Sequence, residues 1–108
     1  MSRGVYLVFT NPVSEEREDE YNEYYSDVHA PEVVQSHGFV SARRFRLSDA
    51  QQPAGVLAQY KYVTIYELDS DDLPATFEQH AARRQAGSLT HSDSIAPGSS
   101  YAVFELLE

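Results

Sequence analysis

The chain has no cysteine, no tryptophan and one methionine, and it sets only eight lysines and arginines against seventeen aspartates and glutamates. Without cysteine there is no disulfide, no thiol nucleophile and no thiolate-held metal. The shortage of basic residues leaves a formal net charge of -9 at pH 7. That is the wrong sign for a phosphate backbone or an anionic lipid surface, so neither nucleic acid nor membrane is an expected partner. No apolar run approaches the ~20 residues of a membrane span. The opening stretch Met1-Ser2-Arg3-Gly4-Val5-Tyr6 passes into a strand without the charged-then-apolar pattern of a signal peptide. A cytoplasmic protein is therefore expected.

What is present fits one small domain over residues 1–108, with eight tyrosines supplying most of the aromatic bulk. A core of that size is thin, so association with a second copy would help it. Val5–Thr10 is short, apolar and β-branched, and reads as a strand ended by Asn11-Pro12. Ser14 is the expected N-cap of a helix whose first turns carry Glu15, Glu16, Glu18 and Asp19, with Arg17, Tyr21, Tyr24, Tyr25 and Val28 on its inner stripe. Ala30 precedes Pro31, so the helix is expected to end near His29 and a short turn to restart at Pro31. Gly38 suits a positive-φ exit.

Strands are expected over 39–47, with Phe39, Ser41, Arg43 and Phe45 on one face, and over 59–68, with a polar loop over 49–55 between them. Ser70-Asp71-Asp72 should cap a second helix, with Leu73, Phe77, His80, Ala81 and Arg84 on its buried stripe and Gly87 at its end. A long polar loop precedes the last strand, near 101–107.

The order β-α-β-β-α-β implies an α+β, ferredoxin-like fold: a four-stranded antiparallel sheet with both helices on one face. The first and last strands nevertheless carry apolar residues on both sides, and two helices cannot cover both. The expected solution is a homodimer packed sheet to sheet about a two-fold axis.

An aromatic pair, then His29, Pro31-Glu32 and two aliphatics, then Gly38-Phe39 and Ala42-Arg43-Arg44-Phe45-Arg46, resembles the EthD-like families of the dimeric α/β barrel superfamily. Tyr66-Glu67-Leu68-Asp69-Ser70 is similar to the end of their third strand. The chain departs from them at Tyr24, where many relatives have tryptophan, and at His37, where many have proline. The resemblance implies two sheets paired into a barrel. The activities it brings are cofactor-independent isomerisation, cyclisation, dehydration or oxygenation of a small hydrophobic, aromatic or polyketide-like compound. It equally admits a non-catalytic accessory or small-ligand-binding protein.

Among the residues, His29 is the first candidate for acid–base work, its alternative being a structural cap at the helix break. There the helix dipole would favour the protonated form. Tyr25, one turn earlier, could orient the imidazole or donate to a carbonyl, or be a core tyrosine with its hydroxyl satisfied. His80 could face His29 across a pocket or sit partly exposed. Tyr62 and Tyr66 share a strand face and would line either the pocket or the dimer interface. Of Arg43, Arg44 and Arg46, which alternate faces, Arg44 is the candidate to hold an acidic substrate group. His91-Ser92-Asp93-Ser94 holds the residue types of a triad, but adjacency does not make one. The four histidines lack HxH or HExxH spacing, so no metal site is expected. No cofactor is expected, haem on an axial histidine being the alternative.

Overall fold

The structure is a computed structural model that describes residues 2–53 and 55–107; of the loop expected over 49–55, position 54 lies outside the described residues, as do both end residues of the expected domain. Four strands, β1 (Ser2–Thr10), β2 (Phe39–Arg46), β3 (Tyr62–Ser70) and β4 (Ser100–Glu105), form one antiparallel sheet in the order β2-β3-β1-β4. Between β1 and β2 lie α1 (Glu18–Tyr24), a π-helical turn (Tyr25–His29) and α2 (Ala30–Val34). A 3-10 turn (Val56–Gln59) precedes β3, and α3 (Leu73–Gln85) follows it. The ferredoxin-like βαββαβ order thus holds.

The helical run covers one face of the sheet. β1 sends Tyr6, Val8 and Thr10 into that layer, and β3 sends Tyr62, Thr64, Tyr66, Leu68 and Ser70. Tyr21, Tyr25, Ala30 and Val33 meet them from the first helical run and Leu73 from α3. Aromatic rings lock this core edge to face: Tyr6 stands 5.0 Å from Phe77 and 6.2 Å from Phe39. The opposite face presents Leu7, Phe9, Val63 and Ile65. The segment before β3 reaches over its Phe9 end, where Tyr60 stands 5.7 Å from the Phe9 ring, and among the described residues no helix covers the rest.

Several expectations are corrected. The first helix does not end at His29; Ala30 keeps right-handed α geometry and gives its N–H to the Tyr25 carbonyl, five residues back. In a regular helix the Pro31 ring would press on the carbonyl four residues before it. The wider π-turn removes that clash, and the run continues to Val34.

The helix also starts late. Ser14 accepts at its carbonyl from the Arg17 amide in a preliminary turn, and the first helical residue is Glu18. Val28 is exposed rather than on the inner stripe, and in α3 Thr76 takes the buried place expected of Ala81 and Arg84. An irregularity between Phe39 and Ser41 shifts the β2 register, so Phe39 joins Ala42 and Arg44 on the helix side while Ser41, Arg43 and Phe45 face away. β3 begins at Tyr62, because residues 56–59 are taken by the 3-10 turn.

Two expected boundaries hold, and within Ser70-Asp71-Asp72 it is Asp72 that caps. Asp72 accepts from the Ala75 amide at the start of α3, and Gly38 sits at φ 88° on the way into β2. A side chain at Gly38 would also meet Thr76 Oγ1 at 2.6 Å, so glycine is required there on both counts.

Candidate functional site

Between the sheet and the helices lies an open cavity of about 340 Å³. Tyr6, Val8 and Tyr66 form its sheet wall, Tyr24, Tyr25, His29 and Val33 the first helical wall, and His80 and Arg84 the α3 wall. Leu89, Thr90, His91, Ser92, Ile95 and Ser99 close it from the long loop before β4. That loop is pinned to the chain after β1 by Val13 N–H to Ser94 carbonyl (2.7 Å) and Ala96 N–H to Asn11 carbonyl (2.9 Å). Its length is spent on building a wall.

The π-turn decides what surrounds His29. In an α-helix, residues three or four apart meet; with five-apart pairing, Tyr24 comes beside His29. The two rings stack at 5.6 Å, and the Tyr24 hydroxyl lies 3.4 Å from His29 Nδ1. Tyr25 meets the same imidazole edge to face at 5.1 Å. Thr90 Oγ1 is 2.9 Å from the Tyr24 hydroxyl and donates to Glu32 Oε1 at 2.8 Å, and Glu32 itself stands 3.8 Å from His29 Nδ1. Nδ1 is thereby held on the helix side, leaving Nε2 as the nitrogen for a ligand.

His29 is not at a helix end, so the dipole does not favour its charged form. Burial, only partly offset by Glu32, pushes its pKa below the ordinary value. The site therefore offers a neutral imidazole near pH 7. Burial also raises the phenols of Tyr25 and Tyr66 strongly, so both remain proton donors. Among the described residues the buried Tyr66 hydroxyl has no hydrogen-bond partner; a polar group left so costs about 1–3 kcal/mol unless the cavity supplies one.

His80 is 4 % exposed, not half out in solvent. Its Nδ1 is 2.9 Å from Ser36 Oγ, and its Nε2 is 3.4 Å from Arg84 Nη2. Arg83 already donates to Ser36 Oγ at 2.5 Å. With a guanidinium donor on each side, the network assigns the neutral tautomer with Nδ1–H donating to Ser36. Burial, then the charges of Arg84 and Arg83, bring the His80 pKa down to about 4.

The structure places Tyr62 and Arg44 outside this cavity. Tyr62 gives its hydroxyl proton to Glu18 Oε2 (2.5 Å) and accepts from Asn22 Nδ2 (3.0 Å). The Arg44 guanidinium lies 5.2, 4.8 and 5.2 Å from the ring centres of Tyr21, Tyr25 and Tyr62 and donates to Ser26 Oγ at 2.9 Å. It is a packing element worth about 0.5–2 kcal/mol per stacked ring. His91, Ser92 and Asp93 form no relay: Asp93 pairs with Arg17 at 2.6 Å and Ser92 with Ser94 at 2.6 Å.

His29, Tyr25, His80 and Tyr66 are thus brought to one cavity, joined by Tyr24, Thr90 and Arg84, which sequence reasoning passed over. Tyr24 was legible only to a reader who knew the helix passes through Pro31. His37 is exposed and lines none of it. Among the described residues no group of three or more His, Asp or Glu is arranged to hold a metal ion, and no helix is long and apolar enough to cross a membrane.

The fold, two helical segments over one face of a βαββαβ sheet, is shared with solved structures of low sequence identity. The chain itself belongs to the DUF4286 family, described as a domain of unknown function, whose profile matches residues 4–95. A candidate monooxygenase from Shewanella loihica PV-4 is 19% identical, with a TM-score of 0.60 over 100% of this chain and 98% of that one. A dimeric ferredoxin-like protein of unknown function from Jannaschia sp. CCS1 is 21% identical, with a TM-score of 0.60 over 96% and 99%. An EthD family protein from Bacillus halodurans C-125 is 16% identical, with a TM-score of 0.51 over 99% and 100%. No curated protein matches the sequence significantly.

The depressed His80 pKa has a consequence for stability. Above pH ~6.5 neither the folded nor the unfolded chain protonates this imidazole. As pH falls below that, the unfolded chain takes up a proton that the folded chain refuses until about pH 4. Stability should therefore fall across pH 6.5 to 4, by up to about 3 kcal/mol from this group. Urea unfolding at a series of pH values checks it: His80→Gln should flatten the slope, with the residue left by His29 running the same way. An unchanged slope would assign the loss to other groups.

Proposed function

We propose that this protein is an EthD-like, cytoplasmic enzyme that moves a proton on a small, apolar, oxygenated compound without a cofactor. The observation that carries this is the His29 imidazole, kept neutral by burial and oriented by Tyr24, at the wall of a cavity whose sheet side is apolar and phenolic. His29 Nε2 would take a proton from carbon or oxygen next to a carbonyl. The electron pair left behind delocalises onto the carbonyl oxygen, and a Tyr66 or Tyr25 phenol, too basic to ionise, donates to that oxygen. The imidazolium then returns the proton elsewhere on the substrate, which gives isomerisation or ring closure. If a β-hydroxyl instead takes that proton and leaves as water, the result is dehydration. If the carbanion adds dioxygen as co-substrate, the peroxide takes the proton and loses its outer oxygen as water, with a second hydrogen from the same carbon, leaving the other oxygen as a carbonyl. The S. loihica and B. halodurans structures support this reading through their shared fold.

The second reading is a non-catalytic binder that uses the same cavity. The bonds that tie Tyr24 to Thr90 and Thr90 to Glu32 favour it, because they also serve to fix a wall. Solvent deuterium exchange into enolisable aromatic ketones, followed by NMR in D2O, separates the two. Exchange catalysed by the protein should fall by about 10²-fold or more in His29→Gln. Exchange that is absent in the parent, or unaltered in the variant, would favour the binder. Addition of haemin should produce no histidine-ligated Soret band; such a band would redirect the assignment to haem chemistry.

We infer also that the open sheet face is covered by a second copy. Leu7, Phe9, Val63 and Ile65 line it, and Phe104 is 57 % exposed at its β4 edge. The dimeric state of the Jannaschia protein supports this. Sedimentation at micromolar concentration should give twice the chain mass, and Ile65→Lys should give the single chain. A monomeric parent would contradict the pairing.

A further inference from the structure

The acidic character of the chain stops at the cavity. Seventeen aspartates and glutamates are spread over 108 residues, yet among the described residues none lines it. The nearest carboxylate, Glu32, stands behind the wall, occupied by Thr90 and 3.8 Å from His29 Nδ1. The lining carries instead three histidines and one guanidinium, Arg84. A surface this acidic repels anions in general, so a concave lining that carries a guanidinium and keeps its one nearby carboxylate, Glu32, behind the wall is a local departure from that charge.

Arg84 is free to act there. Arg17, Arg43 and Lys61 each hold a carboxylate, Arg44 is enclosed by tyrosine rings, and Arg83 is spent on the Glu32 carbonyl at 2.9 Å and on Ser36. Arg84 makes no ion pair among the described residues; its contact is the long one to His80 Nε2 at 3.4 Å. It projects from the last turn of α3, is exposed, and lies near the Tyr6 hydroxyl at the sheet wall. A fork of N–H donors at the mouth of an apolar, aromatic cavity is matched by one charged oxygen group on a flat apolar body.

We propose that the cavity takes an organic monoanion, a planar aromatic or conjugated compound bearing a carboxylate, with Arg84 as its counter-ion. This rests on the cavity being the ligand site, and it adds the charge of the ligand. The apolar body lies against Val8, Val33 and Leu89, and the charged end stays at the rim, where Arg84 needs little desolvation. On binding, Arg84 turns from His80 Nε2 to the ligand, which bares that lone pair to the cavity. The burial of His80 and the positive field upon it keep it neutral, so it does not compete with Arg84 as a cation.

The experiment compares 2-naphthoate with 2-naphthamide, its neutral counterpart of the same shape, by histidine side-chain NMR on the full chain. 2-Naphthoate should bind at least ten times more tightly and should move the His29 and His80 resonances. Arg84→Met should erase that preference, weakening 2-naphthoate about ten-fold and 2-naphthamide less than two-fold, while Arg84→Lys should restore part of it. Equal binding of the two probes by the parent chain, or a preference that survives Arg84→Met, would overturn the anion proposal and leave the cavity standing as a ligand site. Binding of neither probe, with His29 unmoved, would overturn both.

Discussion

Pro31 has no amide hydrogen to give and a ring that a regular helix cannot fit, and the site depends on how the chain meets that constraint. Instead of stopping, the helix widens for one turn, Tyr25–His29, and goes on to Val34. The widening changes the partners of every side chain around it. Tyr24 moves under His29 to stack on its ring, Tyr25 keeps its edge against it, and Glu32 is brought near Nδ1 from the following turn. The imidazole is thereby buried and pointed at the cavity by the same feature.

Much of the fold was legible because its signals are local and mutually consistent. Asp72 before Leu73-Pro74, Gly38 before Phe39, and the alternation in β3 each specify backbone geometry within a few residues. What was not legible depends on pairings between distant residues. The β2 face of Phe39 is set by a one-residue register shift against β3, and nothing in the β2 sequence announces it. The places of Tyr62 and Arg44 could not be told apart from that of Tyr66, since all three share the helix side of the sheet. Only the position of the helices above it separates a tyrosine cage from a cavity floor. Tyr24 failed for another reason: its distance from His29 suits a π-turn and no other helix.

The sheet makes two uses of its apolar faces. One is sealed by tyrosines whose hydroxyls are satisfied at the periphery, as with Tyr21 and Thr10, or left without a partner beside the cavity, as with Tyr66. The other is only partly covered, by the segment before β3 at its Phe9 end. The charge follows the same division: carboxylates crowd the outer side of the first helical run, while the cavity keeps one guanidinium and three imidazoles. Among the described residues the Tyr66 phenol has no hydrogen-bond partner and Arg84 no ion pair, and both lie on the concavity that His29 lines.

The π-turn at Pro31 holds His29 as a buried, neutral base. Titrating the His29 imidazole by NMR in the parent chain and in Pro31→Ala tests it most directly. The parent imidazole should titrate below the ordinary value of ~6.5 and return toward that value in the variant, with loss of the Tyr24 ring contact. A parent His29 that titrates at or above ~6.5, or a variant that titrates like the parent with Tyr24 still stacked, would contradict it.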